Sequence, residues 1–367
     1  MSAKHHYHRI YQRYRGASHA EPHAAGGALS PAQILIAYGF QQNQYAGIPP
    51  IKLGIGSLGG GVVQKDIDNS VAHWGLAAPK LTVRTVGGAT NNPADQDSNV
   101  ENMLDIVPTM AFTWWWLTGT AADITICFGP NASGGMTAVT RDLVAAGCKV
   151  ASWSWGSAAS GWDPTERHGL AQAFADAVNA GCTFCAASGD NSIDDNTAAP
   201  TPDYPASDPN VWSVGGTRLR LKPDGSILRE SAWGDGRAAD AGGGGGIDQS
   251  IPMPAFQNGI VPGSHRGVPD SSANADPASG WIMSANGSWT AVGGTSAAAP
   301  FTAALIAVAK ASQNIATGLL TPKIYANRTT AVRDILLGSN GQRAQAGWDE
   351  ATGNGTPHGA AFLTALH

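Results

Sequence analysis

A serine stands in Gly293-Gly294-Thr295-Ser296-Ala297-Ala298-Ala299-Pro300, between a tight glycine turn and an apolar run from Ala297 to about Gln313. That run reads as a helix, so the Ser296 hydroxyl lies where a helix begins. Unpaired backbone N–H groups and the positive end of the helix dipole gather there and favour negative charge on a nearby oxygen. The three alanines leave the serine accessible, and Pro300 suits a first helical turn, which has no N–H partner to lose. The same residues also describe a plain N-cap, the commonest duty of a serine before a helix. Only partners elsewhere in the chain separate the two readings.

A nucleophilic serine needs a base. The histidines beyond the first 27 residues are His73, His168, His265, His358 and His367, and none sits in a subtilisin-type histidine motif. Ser152-Trp153-Ser154-Trp155-Gly156 lacks the leading glycine of a nucleophile elbow. Carboxylates remain. In Ser98-Asn99-Val100-Glu101-Asn102-Met103-Leu104-Asp105 the Ser98–Glu101 spacing is that of a capping box, which predicts a helix starting at Ser98. Glu101 and Asp105 then stack on one helix face; if that face is buried, one carboxyl stays protonated. Paired carboxyls sharing protons can run acid–base chemistry, although a capping glutamate beside a surface aspartate has the same spacing. Pro108 and the tryptophans of Thr113 to Gly119 predict a helix that is kinked or cut short. A third carboxyl, Asp190, follows Ser188-Gly189 at the end of an apolar run, as an active-site acid or a turn aspartate would.

The elements that must hold these groups follow from the pattern between them. Ile51 to Ile55, Val83 to Val86, Asp123 to Phe128, Lys149 to Trp153, Thr183 to Ala187 and Val211 to Val214 read as strands; Pro31 to Tyr38, Met136 to Ala146 and Leu170 to Ala180 read as helices. Alternation at this spacing predicts an α/β fold with a mostly parallel central sheet flanked by helices, whose ligands bind beyond the carboxyl ends of the strands. Leu58-Gly59-Gly60-Gly61 follows a strand but matches no phosphate-loop pattern, so nucleotides are discounted. After Val214 the chain is rich in loops, with turn chemistry at Asp235 to Ile247 and from Gly267 to Pro277. Asp334-Ile335 and Gly347-Trp348-Asp349 bracket another polar loop, whose carboxylates and carbonyls could form an oxygen cage for Ca²⁺.

Composition excludes several classes. Of 367 residues, 43% are apolar, enough for a sizeable core, and no run approaches the ~18 apolar residues of a membrane span. A net charge of -5, with no basic face outside the first fifteen residues, disfavours nucleic acid. Residues 1–27 form a basic arm carrying Lys4, Arg9, Arg13, Arg15 and five histidines; it lacks the apolar core of a secretory signal and reads as a mobile, solvated tail ahead of one domain, 28–367. Cys127, Cys148, Cys182 and Cys185 read as buried free thiols, since Cys182 and Cys185 on one strand would point to opposite faces.

Taken in order, Glu101-x-x-x-Asp105, Ser188-Gly189-Asp190 and Gly294-Thr295-Ser296-Ala297-Ala298-Ala299-Pro300 resemble the sedolisins, the serine-carboxyl peptidases. Leu58 to Gly61, Ser154-Trp155-Gly156, Tyr204-Pro205-Ala206, Gly215 to Leu219, Gly267 to Asp270 and Asn274 to Pro277 extend the likeness from about Ser30 to the C-terminus. The resemblance implies a subtilisin-like single domain and cleavage of protein or peptide substrates at acidic pH. It assigns Ser296 as nucleophile, Glu101 as general base and later acid, Asp105 as the carboxyl orienting Glu101, and Asp190 as the oxyanion-hole acid. It further implies substrate contacts at Ser154, Trp155 and Gly156, a pocket carboxyl at Asp203, and one structural Ca²⁺ on Asp334 and Asp349 with the carbonyls of Ile335, Gln345 and Gly347. A glutamate of ordinary pKa ~4.3 accepts a proton in acid, where a histidine of ordinary pKa ~6.5 is already charged.

Three features depart from the family pattern. Ser57 stands where some relatives carry a glutamate that extends the carboxyl chain, Pro108 and the tryptophans follow Asp105, and the family's long prosegment and export signal are not evident. The chain is then expected to be either the mature part of a secreted, extracellular product, or a protein folding unaided in the cytoplasm or within a carrier assembly. Two rival readings stay open: an inert binding or structural protein on the same fold, and a serine hydrolase with a histidine base.

Overall fold

The computed structural model describes residues 8–9, 12–13, 27–42, 45–197, 199–234 and 241–367. In chain order its strands are β1 (His8–Arg9), β2 (Gln12–Arg13), β3 (Lys52–Ser57), β4 (Lys80–Thr85), β5 (Asp123–Phe128), β6 (Val150–Trp153), β7 (Trp155–Ala158), β8 (Thr183–Ala187), β9 (Asp203–Tyr204), β10 (Val211–Leu221), β11 (Ile227–Ala232), β12 (Gly246–Pro252), β13 (His265–Val268), β14 (Ser271–Asn274), β15 (Trp281–Ala285), β16 (Ser288–Gly293), β17 (Val332–Arg333) and β18 (Thr356–Pro357). The helices are α1 (Pro31–Ala37), α2 (Gln64–Trp74), α3 (Gln96–Trp116), α4 (Gly135–Ala145), α5 (Pro164–Asn179), α6 (Thr295–Gln313), α7 (Thr321–Ala326), α8 (Arg328–Ala331) and α9 (Gly359–Thr364).

The central sheet runs β11-β10-β8-β6-β3-β5-β4, with β14 also on β10. Every pairing in it is parallel except β10 with β11. β6 and β8 are buried along their whole length, as strands covered on both faces must be. The edge strand β4 is mostly exposed and carries Lys80 and Arg84, charges that discourage pairing with another chain. Helices α3 and α6 pack together, and α6 lies against β6, β8 and β10. On the other side α4 and α5 pack on each other and close a second core around Met136, Val139, Leu143, Leu170 and Phe174. The expected α/β architecture and all six expected strands are present.

α6 is apolar on every side, which only an enclosed helix tolerates. Its residues Thr295 to Ala309 are all buried. Seven alanines in that stretch let it approach sheet and α3 closely, while Leu305 and Ile306 join the main core. No described helix is long and apolar enough to cross a membrane.

Several details differ from expectation. α3 starts at Gln96, not Ser98: Asp95 is the N-cap and accepts from the Ser98 amide at 3.2 Å, while the Ser98 hydroxyl bonds Asp95 at 2.6 Å. Nor is α3 cut short at Pro108, for it continues to Trp116. Phe112, Trp116, Phe40 and Phe301 hold its end through ring contacts of 4.9–6.4 Å, so tertiary packing overrides the proline's local preference. Between its loops the stretch from Val214 to Ser296 also carries strands not read from the sequence, including the hairpin β15–β16 and the ladders β10–β11 and β12–β13. The arm is not wholly a solvated tail either. His8 and Arg9 pair antiparallel with Gly156 and Trp155, and Gln12 and Arg13 with Gly293 and Val292; residues 1–7, 10–11 and 14–26, with the histidines at 5, 6, 19 and 23, lie outside the described residues. The four cysteines are buried free thiols, as expected.

Candidate active site

Gly294 is the N-cap of α6, with φ +135 and no side-chain cap bond, so Ser296 is the helix's second residue and not its cap. A side chain at Gly294 would be strained in that backbone conformation. Pro300 is the sixth residue, beyond the first turn. Its missing N–H leaves the Ser296 carbonyl, four residues back, without a helical donor. The Ser154 hydroxyl lies 3.3 Å from that carbonyl, and the Ser296 hydroxyl donates in return to the Ser154 carbonyl at 3.5 Å. Both serines are fully buried.

Ser154, between β6 and β7, also reaches the acidic helix: its Oγ is 2.6 Å from Asp105 Oδ1. One hydroxyl proton cannot serve both acceptors fully. Burial raises the Asp105 pKa well above the carboxylate range, opposed in part by the Ser154 bond. The Ser154 hydroxyl donates to Asp105 at the shorter distance, with the Ser296 carbonyl as its second acceptor. Glu101 sits one turn earlier on α3 and is fully buried, on the helix that packs against α6. Ser57, at the position where some relatives carry a glutamate, donates to Asn102 Oδ1 at 2.8 Å and lies 2.9 Å from the Gly59 carbonyl.

Asp190 follows the carboxyl end of β8. Its Oδ1 accepts from the Thr295 amide at 2.8 Å and the Thr295 hydroxyl at 2.9 Å, which fixes it beside the start of α6. Burial pushes its pKa up to about 7 against those two hydrogen bonds, with Asp195 adding to the rise. Gly189, at φ +111, allows the approach of Asp203: a Cβ there would come within 2.9 Å of Asp203 Oδ2. Asp203 lies on β9, which pairs with β7, and burial followed by Asp195 and Asp190 raises its pKa. Trp155 and Gly156 belong to β7, whose other edge carries β1.

Ser296, Asp105, Ser154 and Asp190 are thus drawn together through α6, α3, β7's entry and the end of β8. The sequence reading missed two contributors. Ser154 was expected as a substrate contact and not as the hydroxyl between Asp105 and Ser296, and Thr295, the holder of Asp190, carried no signal beyond adjacency to the serine. Asp334 and Asp349 close one loop apart from this cluster: Asp334 Oδ2 accepts from the Gly347 amide at 2.8 Å and Asp349 Oδ2 from the Gln345 amide at 3.0 Å. Burial lifts the Asp349 pKa to about 6 despite its amide donors. Among the described residues no three His, Cys, Asp or Glu side chains gather as a metal site.

The subtilase family model matches residues 85–355. The chain belongs to the subtilase family. Within it, this is a sedolisin-type, kumamolisin-like domain: it is 34% identical to kumamolisin of Bacillus sp. (strain MN-32) over 94% of the chain, spanning 64% of that relative's length. It is 31% identical to sedolisin of Pseudomonas sp. (strain 101) over 50% of the chain and 34% of the relative. The structure of Pseudomonas sedolisin, a serine-carboxyl proteinase, superposes with a TM-score of 0.80 at 23% identity, covering 94% of this chain and 99% of that one. Sphericase, at 20% identity, gives 0.58. These likenesses agree with a subtilisin-like fold for this sedolisin-type chain.

Proposed function

We propose that the protein is a serine-carboxyl endopeptidase working in acid, with Ser296 as nucleophile. The observation that carries this reading is the Ser154 link, which ties Asp105 on α3 to Ser296 on α6 inside a buried, acid-rich site. Ser296 Oγ attacks the peptide carbonyl carbon and gives its proton to Glu101; Asp105, held by Ser154, orients Glu101. The carbonyl oxygen becomes an oxyanion that accepts a hydrogen bond from protonated Asp190. Glu101 then returns the proton to the departing amine, leaving an acyl group on Ser296. Water, deprotonated by Glu101, releases the acid and restores the serine.

Support for a polypeptide substrate comes from the arm. Two of its segments lie antiparallel, one along Trp155–Gly156, next in sequence to Ser154, and one along Val292–Gly293, shortly before Ser296. The oxygen donors around Asp334 and Asp349 suit a hard cation, and Ca²⁺ held there with the carbonyls of Ile335, Gln345 and Gly347 would stiffen that loop.

The test is hydrolysis of an unfolded protein at pH ~4. Ser296→Ala should lower turnover by at least a thousandfold, and Glu101→Ala should fail while its circular dichroism is retained. Undiminished cleavage by Ser296→Ala would rule the reading out.

A further inference from the structure

β10 runs past its last pairing with β8, at Val214, to Leu221 and a turn of Lys222 to Ser226. Side chains alternate along an extended chain, so Arg218, Arg220 and Lys222 fall on one face, about 7 Å apart, while Leu219 and Leu221 take the other. The neighbouring strand adds to the charge: Arg229 stands directly opposite Arg220, and both are exposed. Like charges so paired weaken a ladder, a cost that an anion between them would offset. The acids in reach are Asp276, with Oδ2 3.6 Å from Arg218, and Asp224, which accepts from the Ser226 amide and hydroxyl at 2.9 and 2.6 Å. Glu230 faces the buried side, where Tyr38 and Thr217 hold it. This face therefore keeps a surplus of positive charge on a chain whose net charge is -5.

A cleft of about 670 Å³ follows the same stretch. One wall is β10 and its turn, from Arg218 to Pro223, together with Leu228; Gly27, Leu29, Gln33 and Ala278 form the other. Leu228 reaches the cleft because β11 is bulged: Ile227 pairs with Leu221 and Arg229 with Arg220, which leaves Leu228, 61% exposed, as the extra residue. On the edge of β10 toward Ala278, the Thr217 carbonyl accepts from the Ala275 and Asp276 amides, and the Leu219 amide donates to the side chains of Asn274 and Ser279 at 3.3 and 3.2 Å. The Lys222 amide turns the opposite way, to the Ser226 carbonyl. By alternation the Leu219 carbonyl and both backbone groups of Leu221 face the cleft edge. Among the described residues the parallel ladder on that edge ends at Thr217–Asn274.

We propose that this cleft binds an extended acidic segment of another polypeptide, which lies along β10 beyond Leu219 and sets carboxylates two residues apart against Arg218, Arg220 and Lys222. The side chains of an extended chain recur at the spacing of these cations, and its intervening residues turn toward the leucine face. Backbone pairing with Leu219 and Leu221 supplies affinity, and the cations supply the preference for acids. A compact anion would match the charge but would leave the backbone edge unused. The cleft adjoins the Ser296 site along β10, where a Cβ on Gly216 would come within 3.3 Å of Thr295, and it shares none of the proposed catalytic groups. Binding alone tests it, with or without peptidase activity.

The probe is a short fluorescent peptide alternating glutamate with threonine, titrated by anisotropy into the full chain carrying Ser296→Ala at pH ~6, where glutamates of ordinary pKa ~4.3 are ionised. Its glutamine counterpart should bind about tenfold more weakly, the sum of three exposed charge pairs. In the double variant Arg220→Gln, Lys222→Gln, both exposed positions, that ratio should shrink to about threefold or less with an unchanged melting temperature. Of two glutamate peptides N-methylated at the two alternate sets of amides, one should lose about fivefold in affinity and the other little, because only alternate amides face β10. A glutamate-to-glutamine ratio near one, or a tenfold ratio that survives the double variant, would overturn the site. A sulfated oligosaccharide binding as tightly as the glutamate peptide, with both N-methylated peptides unimpaired, would make the cleft a general polyanion site and overturn the polypeptide as its occupant.

Discussion

On the proposed mechanism a single residue, Asp190, would set the working range. Held at about pH 7 by burial, its carboxyl keeps its proton through the acid range and can donate where Thr295 points it. Its ionisation would replace a donor by a charge facing the developing oxyanion. Activity should accordingly decline as pH rises through about 7. Asp190→Asn keeps an N–H donor and removes the titration, so the alkaline limb of kcat/KM should move upward or vanish, with a reduced maximum. Asp190→Ala should lower kcat by about 10² to 10³, the usual cost of losing one oxyanion donor. Profiles from pH 3 to 9 for the three proteins check this. At this scale the ordered spacing singled out Ser296, Glu101, Asp105 and Asp190 as candidates, and the structure links Asp105 to Ser296 through Ser154 and holds Asp190 on Thr295. The parts of Ser154 and Thr295 were not legible, since a hydroxyl's role depends on which distant carboxyl the fold brings within 3 Å of it.

Prolines illustrate what an element does for the site. Pro300 leaves a carbonyl open at Ser296, and Ser154 meets it from another layer. Pro300→Ala would supply an N–H to that carbonyl and compete with Ser154. The helix should hold or gain stability, while kcat falls several-fold, measured by thermal melting and peptide turnover on one preparation; an unchanged kcat would show the Ser154 contact to be idle. Element existence was readable wherever period and length agreed, as in β5 and β8, whose bounds match the expectation. Boundaries governed by tertiary contacts were not. Pro108 predicts a break in isolation, yet Phe112 and Trp116 are locked among Phe40 and Phe301. Between Val214 and Ser296, glycines and polar residues hid strands such as β12 and β14 whose pairing partners lie far along the chain.

Across the molecule, buried acids make stability a function of pH. Asp190 has a folded pKa of about 7 against an ordinary 3.8, and burial likewise raises Asp105 and Asp203. A raised carboxyl pKa means that the folded state binds the proton more tightly, so its contribution is complete below about 4 and is lost as pH rises toward 7. For Asp190 that contribution is about 4 kcal/mol at most. Asp142, lowered chiefly by Arg84, and Asp248, lowered by its serine and Arg167 contacts despite burial, act in the opposite sense and weaken the fold in stronger acid. The melting temperature should therefore peak near pH 4 and fall toward 7. Added Ca²⁺ should recover more of it near pH 7 than near pH 4, because Asp349 is protonated below about 6; a chelator should reverse the recovery. The parallel sheet and its helical layers were legible from alternating periodicity, whereas the arm's pairing with β7 and β16 depends on edges no local pattern reveals.

If carboxyls activate Ser296 in acid, one spectrum reveals it directly. A peptide aldehyde labelled with ¹³C at its carbonyl, mixed with the protein at pH ~4, should show the tetrahedral carbon of a hemiacetal on Ser296. That signal should be lost with Ser296→Ala and should fade as pH rises past about 7 with Asp190. A carbonyl that stays trigonal in acid, or an adduct that appears only as pH climbs through 6 to 7, would contradict the account.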